Sequence, residues 1–379
     1  MTAGEPREPD ASKRRGDPTI DRLEVSAYRI PTDQPESDGT LAWDSTTLVL
    51  VEVEGGGRRG LGYSYTSQVA AGLIRSFLAP LVLGQSAMEP SRIGYRLFDS
   101  VRNMGQHGVT AHAISAVDVA LWDLEARLLS LPLATLLGKA RSSVPIYGSG
   151  GFTSYSEQRL VEQLGGWVNE GMAAVKMKIG RDPGADPHRI RTTRREIGDD
   201  VELYVDANGA LHPREAVELA GDLAESSVSW FEEPVSSEDR HGLRFVRDHA
   251  PAGVRIVAGE YSSRPIDSLR LLEDHAVDVL QADATRCGGI TGFLRAGALC
   301  EAFQVPLSSH CAPSIHAHAC CAVTCAIEPL EYFHDHVRIE HLVFDGALKP
   351  SGGELRPDDR APGLGLSPRR GELEKYRIE

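Results

Sequence analysis

Six chemistry-bearing residues recur along the second half of the chain at the interval of one strand–helix unit. Lys178, Asp206, Glu232, Glu260, Asp283 and His310 are separated by 28, 26, 28, 23 and 27 residues. Each lies at or near the end of a β-rich run: AAVKMKIG, VELYVDANG, VSWFEEP, RIVAGE, DVLQAD and VPLSSH. An earlier run, VPIYGSG from Val144, makes seven, and segments of helical composition such as 213–224 separate them. Alternation of this kind predicts parallel βαβ units. Seven runs in about 170 residues fit a closed (β/α) barrel, with a doubly wound open sheet as the alternative. No G-x-G-x-x-G follows the first run, so the dinucleotide-binding form of the open sheet loses support. A barrel collects strand-end residues on one rim, and six of them in register predict a single site.

The first third has a different texture. From Ile20 to Tyr63, short apolar runs are broken at Pro31-Thr32-Asp33, Glu36-Ser37-Asp38-Gly39 and Glu54-Gly55-Gly56-Gly57, which predicts an antiparallel meander. From Ser67 to Leu137 the apolar period becomes helical, as in Ala113, Ile114, Ala116, Val117, Val119, Ala120, Leu121 and Leu124. The expected division is a disordered leader over 1–18, an α+β domain over 19–140 and a barrel over 141–344. A Gly/Pro-rich tail, 345–379, is expected to pack back on the first domain. A chain of 379 residues is too long for one core, since single cores stop growing near about 250 to 300 residues.

A net charge of −14 argues against nucleic acid or an anionic membrane as partner, because those surfaces select clustered Lys and Arg. No apolar stretch approaches the ~20 residues needed to span a bilayer, and nothing behind Lys13-Arg14-Arg15 resembles a signal peptide. A small anionic substrate would instead meet local positive charge from lysines and a divalent cation inside a cleft. All six cysteines lie in the last third with no CxxC pair, which reads as buried thiols in a reducing compartment, by default the cytoplasm. A competing reading is a zinc site among His310, Cys311, His316, His318, Cys320, Cys321 and Cys325, although their spacing is not that of structural zinc.

Asp206, Glu232 and Glu260 come from three consecutive runs. Three converging carboxylates repel unless a divalent cation sits among them, and hard oxygen ligands suit Mg²⁺. Lys176 and Lys178, spaced i, i+2 on a strand, point to the same face, and two adjacent ammoniums depress each other's pKa. Lys178 is thus a candidate general base, with Lys176 charged and binding a substrate carboxylate oxygen. A carboxylate beside an imidazole fixes its tautomer, which makes His310 with Asp283 a candidate second acid/base. Glu331, in PLEYF, is a candidate proton donor to a developing enolate. Taken singly, each has a plainer reading: a surface ion pair, an exposed K-x-K, a packed histidine, a surface glutamate. Together they suit removal of the weakly acidic α-proton of a carboxylate, which needs a metal ion and hydrogen-bond donors against the forming enolate.

The ordered set Lys176-Met177-Lys178, Asp206-Ala207-Asn208, Phe231 to Pro234 (FEEP), Ala258 to Glu260 (AGE), Asp283 and Ser308-Ser309-His310 resembles the enolase superfamily, and within it the mandelate racemase subgroup. The resemblance runs from about Ile20 to Leu366. It implies an N-terminal α+β capping domain over a modified (β/α)₇β TIM-type barrel, and Mg²⁺ held by Asp206, Glu232 and Glu260. It implies Lys178 as base on one face of the substrate and the His310–Asp283 dyad on the other, with Lys176 and Asn208 supporting and Glu331 as enolate donor. The muconate-lactonizing and dipeptide-epimerase subgroups keep a lysine near Asp283, and Gln281 to Arg286 contains none. Acid-sugar dehydration to a 2-keto-3-deoxy acid is the favoured outcome, with racemisation, epimerisation or cycloisomerisation as the alternative. Substrate choice is expected from the loops Thr32 to Trp43 and Val101 to Thr110, including His107. Family members assemble as dimers or octamers, which implies a homo-oligomer, although no segment of the sequence marks an interface.

Overall fold

The computed structural model describes residues 16–379, so the expectation of a disordered leader lies, for residues 1–15, outside the described residues. The chain opens with an antiparallel sheet of β1 (Ile20–Ser37), β2 (Ala42–Gly55) and β3 (Arg58–Tyr65) in that order. The turn at Gly56 and Gly57 uses two positive φ angles, 56° and 74°, which match the twist of a tight hairpin and which glycine adopts without a Cβ penalty. The break expected at Pro31-Thr32-Asp33 is instead a register shift between Pro31 and Glu36 within β1. Proline cannot donate to the ladder, and a bulge lets the strand continue past it.

The helix Val109–Leu128 lies across this sheet. Its small and branched residues Ala113, Ala116, Val117 and Ala120 pack with Val49, Val51 and Val53 of β2. The opposite side is buried too: Trp122 Nε1 donates to Thr291 Oγ1 at 2.9 Å, and Asp118 accepts from the Thr291 amide and hydroxyl at 3.0 and 2.6 Å. A helix apolar on nearly every side is one covered on every side. It joins the sheet to the second half of the molecule.

That half is a barrel of eight parallel strands: β4 (Val144–Gly150), β5 (Ala174–Lys178), β6 (Glu202–Asp206), β7 (Val228–Glu232), β8 (Arg255–Ala258), β9 (Val279–Ala282), β10 (Leu307–Ser309) and β11 (Leu330–Phe333). The ladder runs β10-β9-β8-β7-β6-β5-β4-β11. It closes through one bridge, from Leu307 of β10 to Ile327 just ahead of β11, rather than a full ladder. Closure removes the open-sheet alternative. A helix lies between each pair of consecutive strands, and a ten-residue helix, His334–Val343, follows the last. Inward residues Tyr147, Ala174, Tyr204, Trp230, Val257 and Val279 form a packed floor, with Tyr204 stacked on Trp230 at 4.8 Å. Outward residues Val175, Met177, Leu203, Val205, Phe231 and Ile256 join the core beneath the helices. Each such buried side chain contributes about 1.5–3 kcal/mol against exposure.

The sheet sits over the C-terminal ends of the barrel strands. Ser64 Oγ donates to the Thr285 carbonyl at 2.8 Å, Tyr63 OH to Glu340 Oε1 at 2.6 Å, and the Tyr65 ring stacks on His336 at 3.5 Å. The loop between β1 and β2 also reaches the rim: Ser37 and Thr153 hydroxyls are 2.6 Å apart, and Arg181 donates to the Leu41 carbonyl at 3.1 Å. Gly39 lies so close to the rim that a Cβ there would strike the carbonyls of Ala207 and Ile179. Past residue 345 the chain returns to the first sheet and helix. Leu364 N donates to Asp123 Oδ1 at 2.6 Å, Ile378 N to Ala27 O at 2.9 Å, and Arg370 pairs with Glu52 at 2.6 Å. Among the described residues, no helix is long and apolar enough to cross a membrane.

Candidate active site

All six strand-end residues named above meet at one rim, beneath the first sheet. A cleft of about 390 Å³ there is lined by Lys178, Asn208, Glu260, Arg286 and His310 from the barrel and by Asp38, Trp43, Thr46, Tyr65 and Thr66 from the cap.

On β5 the two-residue period turns both lysines inward. Lys176 is fully buried below the cleft, with Nζ 2.6 Å from Glu232 Oε1, 2.8 Å from Glu331 Oε1 and 3.3 Å from Tyr147 OH. Lys178 Nζ lies 2.5 Å from Asp206 Oδ2. One expectation changes here. Burial does push both ammoniums down, but Glu232 and Glu331 on Lys176, and Asp206 on Lys178, outweigh it and hold both above the ordinary lysine range. The expected mutual depression is thus reversed by the carboxylates that face the lysines. Lys176 is also enclosed by protein carboxylates, which it orders. Breaking such a buried pair costs about 3–5 kcal/mol.

Asp206, Glu232 and Glu260 bring one oxygen each within 4.8 Å of one another, and all three are buried. Asp206 Oδ1 also accepts from the Asn208 amide at 2.8 Å, an arrangement that uses φ +46° at Asn208. Burial would raise the Asp206 carboxyl, but Lys178 and Lys176 hold it below the usual range. Glu232 goes the other way: burial and repulsion from Asp206, Glu331 and Glu260 exceed the pull of Lys176 and leave it well above. Glu260 Oε1 accepts from Arg286 Nη1 at 3.0 Å, while its Oε2 receives no hydrogen bond. Asn208 Oδ1 and Glu233 Oε1 are likewise buried without a donor. Unshared oxygens among crowded carboxylates are what a hard divalent cation satisfies, and the donor set fits one.

The dyad forms as expected in position. His310 Nδ1 is 2.8 Å from Asp283 Oδ2. Asp283 Oδ1 accepts from Thr285 N at 2.6 Å, and Arg286 Nε lies 3.4 Å from Oδ2. Burial works against the Asp283 charge, yet the hydrogen bond and charge of His310, with His316 and Arg286, keep the carboxyl well below its ordinary range. His316 Nε2 accepts from Ala284 N at 2.8 Å and Nδ1 donates to the Cys311 carbonyl at 2.7 Å, the pattern of a neutral ring that burial favours.

Glu331, expected as a proton donor, is not a surface residue. Its Oε1 accepts from Ser149 Oγ at 2.6 Å and from Lys176, and its Oε2 accepts from Cys311 N at 2.9 Å. Burial is overcome by Lys176, His310 and Lys178, which hold it well below the usual range.

The crowded His/Cys segment does not converge on one point. His318 Nδ1 accepts from Ala134 N, and Arg141 takes the carbonyls of Cys320 and Cys325. Of that set only His310 and Cys311 come together, with Glu331, among the described residues. All six cysteines are free and buried. Of the two cap loops, the first supplies Asp38, Leu41 and Trp43 to the cleft. His107 lies instead in a neighbouring cavity of about 540 Å³, 3.3 Å from Asp267.

Three contributors were not singled out from sequence. Arg286 ties Glu260 to Asp283, and its place three residues after Asp283 was the available signal. Tyr147 and Ser149 share the inward face of β4 by their two-residue spacing. Cys311 was weighed from sequence only as one member of the crowded His/Cys segment.

A capped parallel barrel that gathers carboxylates, two lysines and a histidine–aspartate pair at its strand ends defines an enzyme of acid/base chemistry. Residues 26–138 match the mandelate racemase / muconate lactonizing enzyme N-terminal domain, and residues 159–372 match the family described as enolase C-terminal domain-like. The chain belongs to the enolase superfamily, in its mandelate racemase subgroup, and is a lyase or an isomerase. It is 28% identical over 372 residues to the L-talarate/galactarate dehydratase of Salmonella typhimurium, covering 94% of this chain and 92% of that one. It is 32% identical to the 3,6-anhydro-alpha-L-galactonate cycloisomerase of Streptomyces coelicolor, covering 80% of this chain and 86% of that one. Its fold is similar to a mandelate racemase/muconate lactonizing enzyme-like protein from Rubrobacter xylanophilus, with TM-score 0.93, 55% identity, and coverage of 95% and 100%. The Salmonella dehydratase, solved with Mg and L-lyxarohydroxamate, superposes with TM-score 0.88 at 25% identity, covering 100% of this chain and 98% of that one.

Proposed function

We propose that the protein dehydrates an acid sugar to a 2-keto-3-deoxy acid, with Asp206, Glu232 and Glu260 holding Mg²⁺. The observation that carries this reading is that Lys178 and His310, two groups able to move protons, line one polar cleft beside three buried carboxylates. Bound Mg²⁺ supplies positive charge against the substrate carboxylate oxygen that gains charge as the α-proton leaves. The chain's own residues do the rest. Sharing Asp206 with the ion would relax its hold on the Lys178 proton, so that Lys178 or the His310–Asp283 dyad can take the α-proton; the partner group donates a proton to the β-hydroxyl, the Cβ–O bond breaks, water leaves, and the enol becomes the 2-keto acid. Asp283 fixes Nδ1 of His310 as the donor to carboxylate and leaves Nε2 to exchange protons with substrate. Lys176 holds Glu232 and Glu331 in place, and Asn208 lends Asp206 a backbone donor. Asp38, Ser45, Thr46, Thr47 and Thr66 offer the cleft side chains that pair with sugar hydroxyls.

Cycloisomerisation is the second reading, favoured by the 32% identity to a cycloisomerase. Both start from the same α-proton. ¹H NMR in D₂O with Mg²⁺ and a panel of aldonic, aldaric and anhydro-sugar acids separates them: a 2-keto-3-deoxy product supports the lyase, and α-exchange with only stereoisomeric or ring-rearranged products supports the isomerase. No exchange with any acid sugar would sink both. The six buried free thiols support a reducing, cytoplasmic setting.

A further inference from the structure

We infer that the cleft carries a second cation site, selective for thiophilic ions such as Zn²⁺ or Cd²⁺, built from His310, Cys311 and Glu331. Cys311 Sγ lies 3.1 Å from His310 Nε2 and 3.5 Å from Glu331 Oε2, and His310 Nε2 lies 3.8 Å from the same oxygen. The edges of a tetrahedral zinc site, with Zn–S about 2.3 Å and Zn–N or Zn–O about 2.0–2.2 Å, are about 3.3 to 3.6 Å. The three atoms therefore already stand near three corners. The fourth is left to water from the cleft, as in a zinc site that keeps an open position.

The remaining bonds of these residues hold the corners in place. Glu331 Oε1 is anchored by Ser149 and Lys176, which leaves Oε2 on the Cys311 side. His310 Nδ1 is anchored by Asp283, which leaves Nε2 free to ligate as a neutral imidazole.

The two sites are separated by ligand chemistry. Asp206, Glu232 and Glu260 are all oxygen and suit Mg²⁺, whereas a sulfur–nitrogen–oxygen set favours softer ions. Binding releases the Cys311 thiol proton, and any proton on His310 Nε2, to solvent, so it strengthens as pH rises. An ion at Nε2 occupies the nitrogen that would exchange protons with substrate. It therefore blocks turnover by any reaction that uses His310.

Metal spectroscopy tests this without substrate, so its failure is separate from failure of the proposed reaction. Cd²⁺ titrated into the full-length, Mg²⁺-saturated protein is expected to produce one equivalent of sulfur-to-cadmium charge-transfer absorption. Cys311→Ser is expected to abolish it, and Cys320→Ser to leave it unchanged. Zinc X-ray absorption on the unmodified protein is the companion measurement should C311S fail to fold: one sulfur beside nitrogen and oxygen neighbours is expected. A shell of oxygen and nitrogen alone, or a cadmium band that survives in C311S, overturns the site.

Discussion

Asp283 Oδ2 stands 2.8 Å from His310 Nδ1, and the same carboxylate is fixed on its other oxygen by the amide of Thr285. Thr285 in turn holds the cap through its carbonyl and Ser64. His310, the proposed acid/base group, is thus oriented by a carboxylate whose anchor, Thr285, is tied to the overlying sheet. Asp283→Asn keeps the shape but presents an amide to Nδ1 in place of a full charge. Turnover should fall on the order of 10²- to 10⁴-fold, with the circular dichroism spectrum unchanged. A loss below tenfold in kcat would separate Asp283 from the chemistry.

Glu260 presents the oxygen without a donor, so cation binding should depend on it. For the wild type, Mg²⁺ at 100 times its Kd should add about 2.7 kcal/mol to stability, and EDTA should remove it. Glu260→Gln should lose most of the Mg²⁺-dependent rise in Tm, measured by calorimetry with and without the ion. An equal rise in the variant would place the cation elsewhere.

The loop between β1 and β2 is seated through Gly39. Gly39→Ala adds a methyl that meets the carbonyls of Ala207 and Ile179, next to Lys178 and Asn208. The loop must lift while the barrel stays intact. KM should rise several-fold with a smaller change in kcat, and proteolysis between residues 36 and 43 should accelerate. Unchanged KM would mean that the loop does not cover the substrate.

His318 gives a pH signature distant from the chemistry. It is buried, accepts from Ala134 N at Nδ1, and burial lowers its pKa from 6.5 to about 4. A histidine depressed on folding contributes stability above its unfolded pKa and loses it as pH falls toward the folded one. From pH 7 to 4.5 that loss is on the order of 2–3 kcal/mol. In His318→Asn, where the amide oxygen still accepts from Ala134 N, the Tm should decline less over that interval. Parallel declines in both proteins would assign the acid sensitivity to other groups.

The regular spacing from Lys178 to His310 made the barrel and its rim legible, because one βα unit has a nearly fixed length and delivers one strand end per turn of the chain. The same logic located Asp206, Glu232, Glu260, Asp283 and His310 without any contact being known. It could not tell which way a charge is driven. The lysine pair read as mutually depressing because the sequence places the lysines next to each other, while the carboxylates that face them come from 28 to 155 residues away. Glu331 could be read as a surface glutamate for the same reason: its partners Ser149, Lys176 and the Cys311 amide belong to three other strands or loops. The Pro31 break read as a turn because a missing N–H has the same local signature whether the chain reverses or bulges.

The barrel closes between β10 and β11 by a single bridge, and the two banks of that opening carry His310 and Glu331. Every other pair of neighbouring strands is laced by a longer ladder. Heat is therefore expected to find its cheapest point of entry beside His310. Parting there sacrifices few backbone bonds, yet it shifts a proposed acid/base group from its place in the cleft. The protein's useful lifetime at elevated temperature is then expected to follow this latch before the melting of the barrel, and stitching these two edges together should prolong activity.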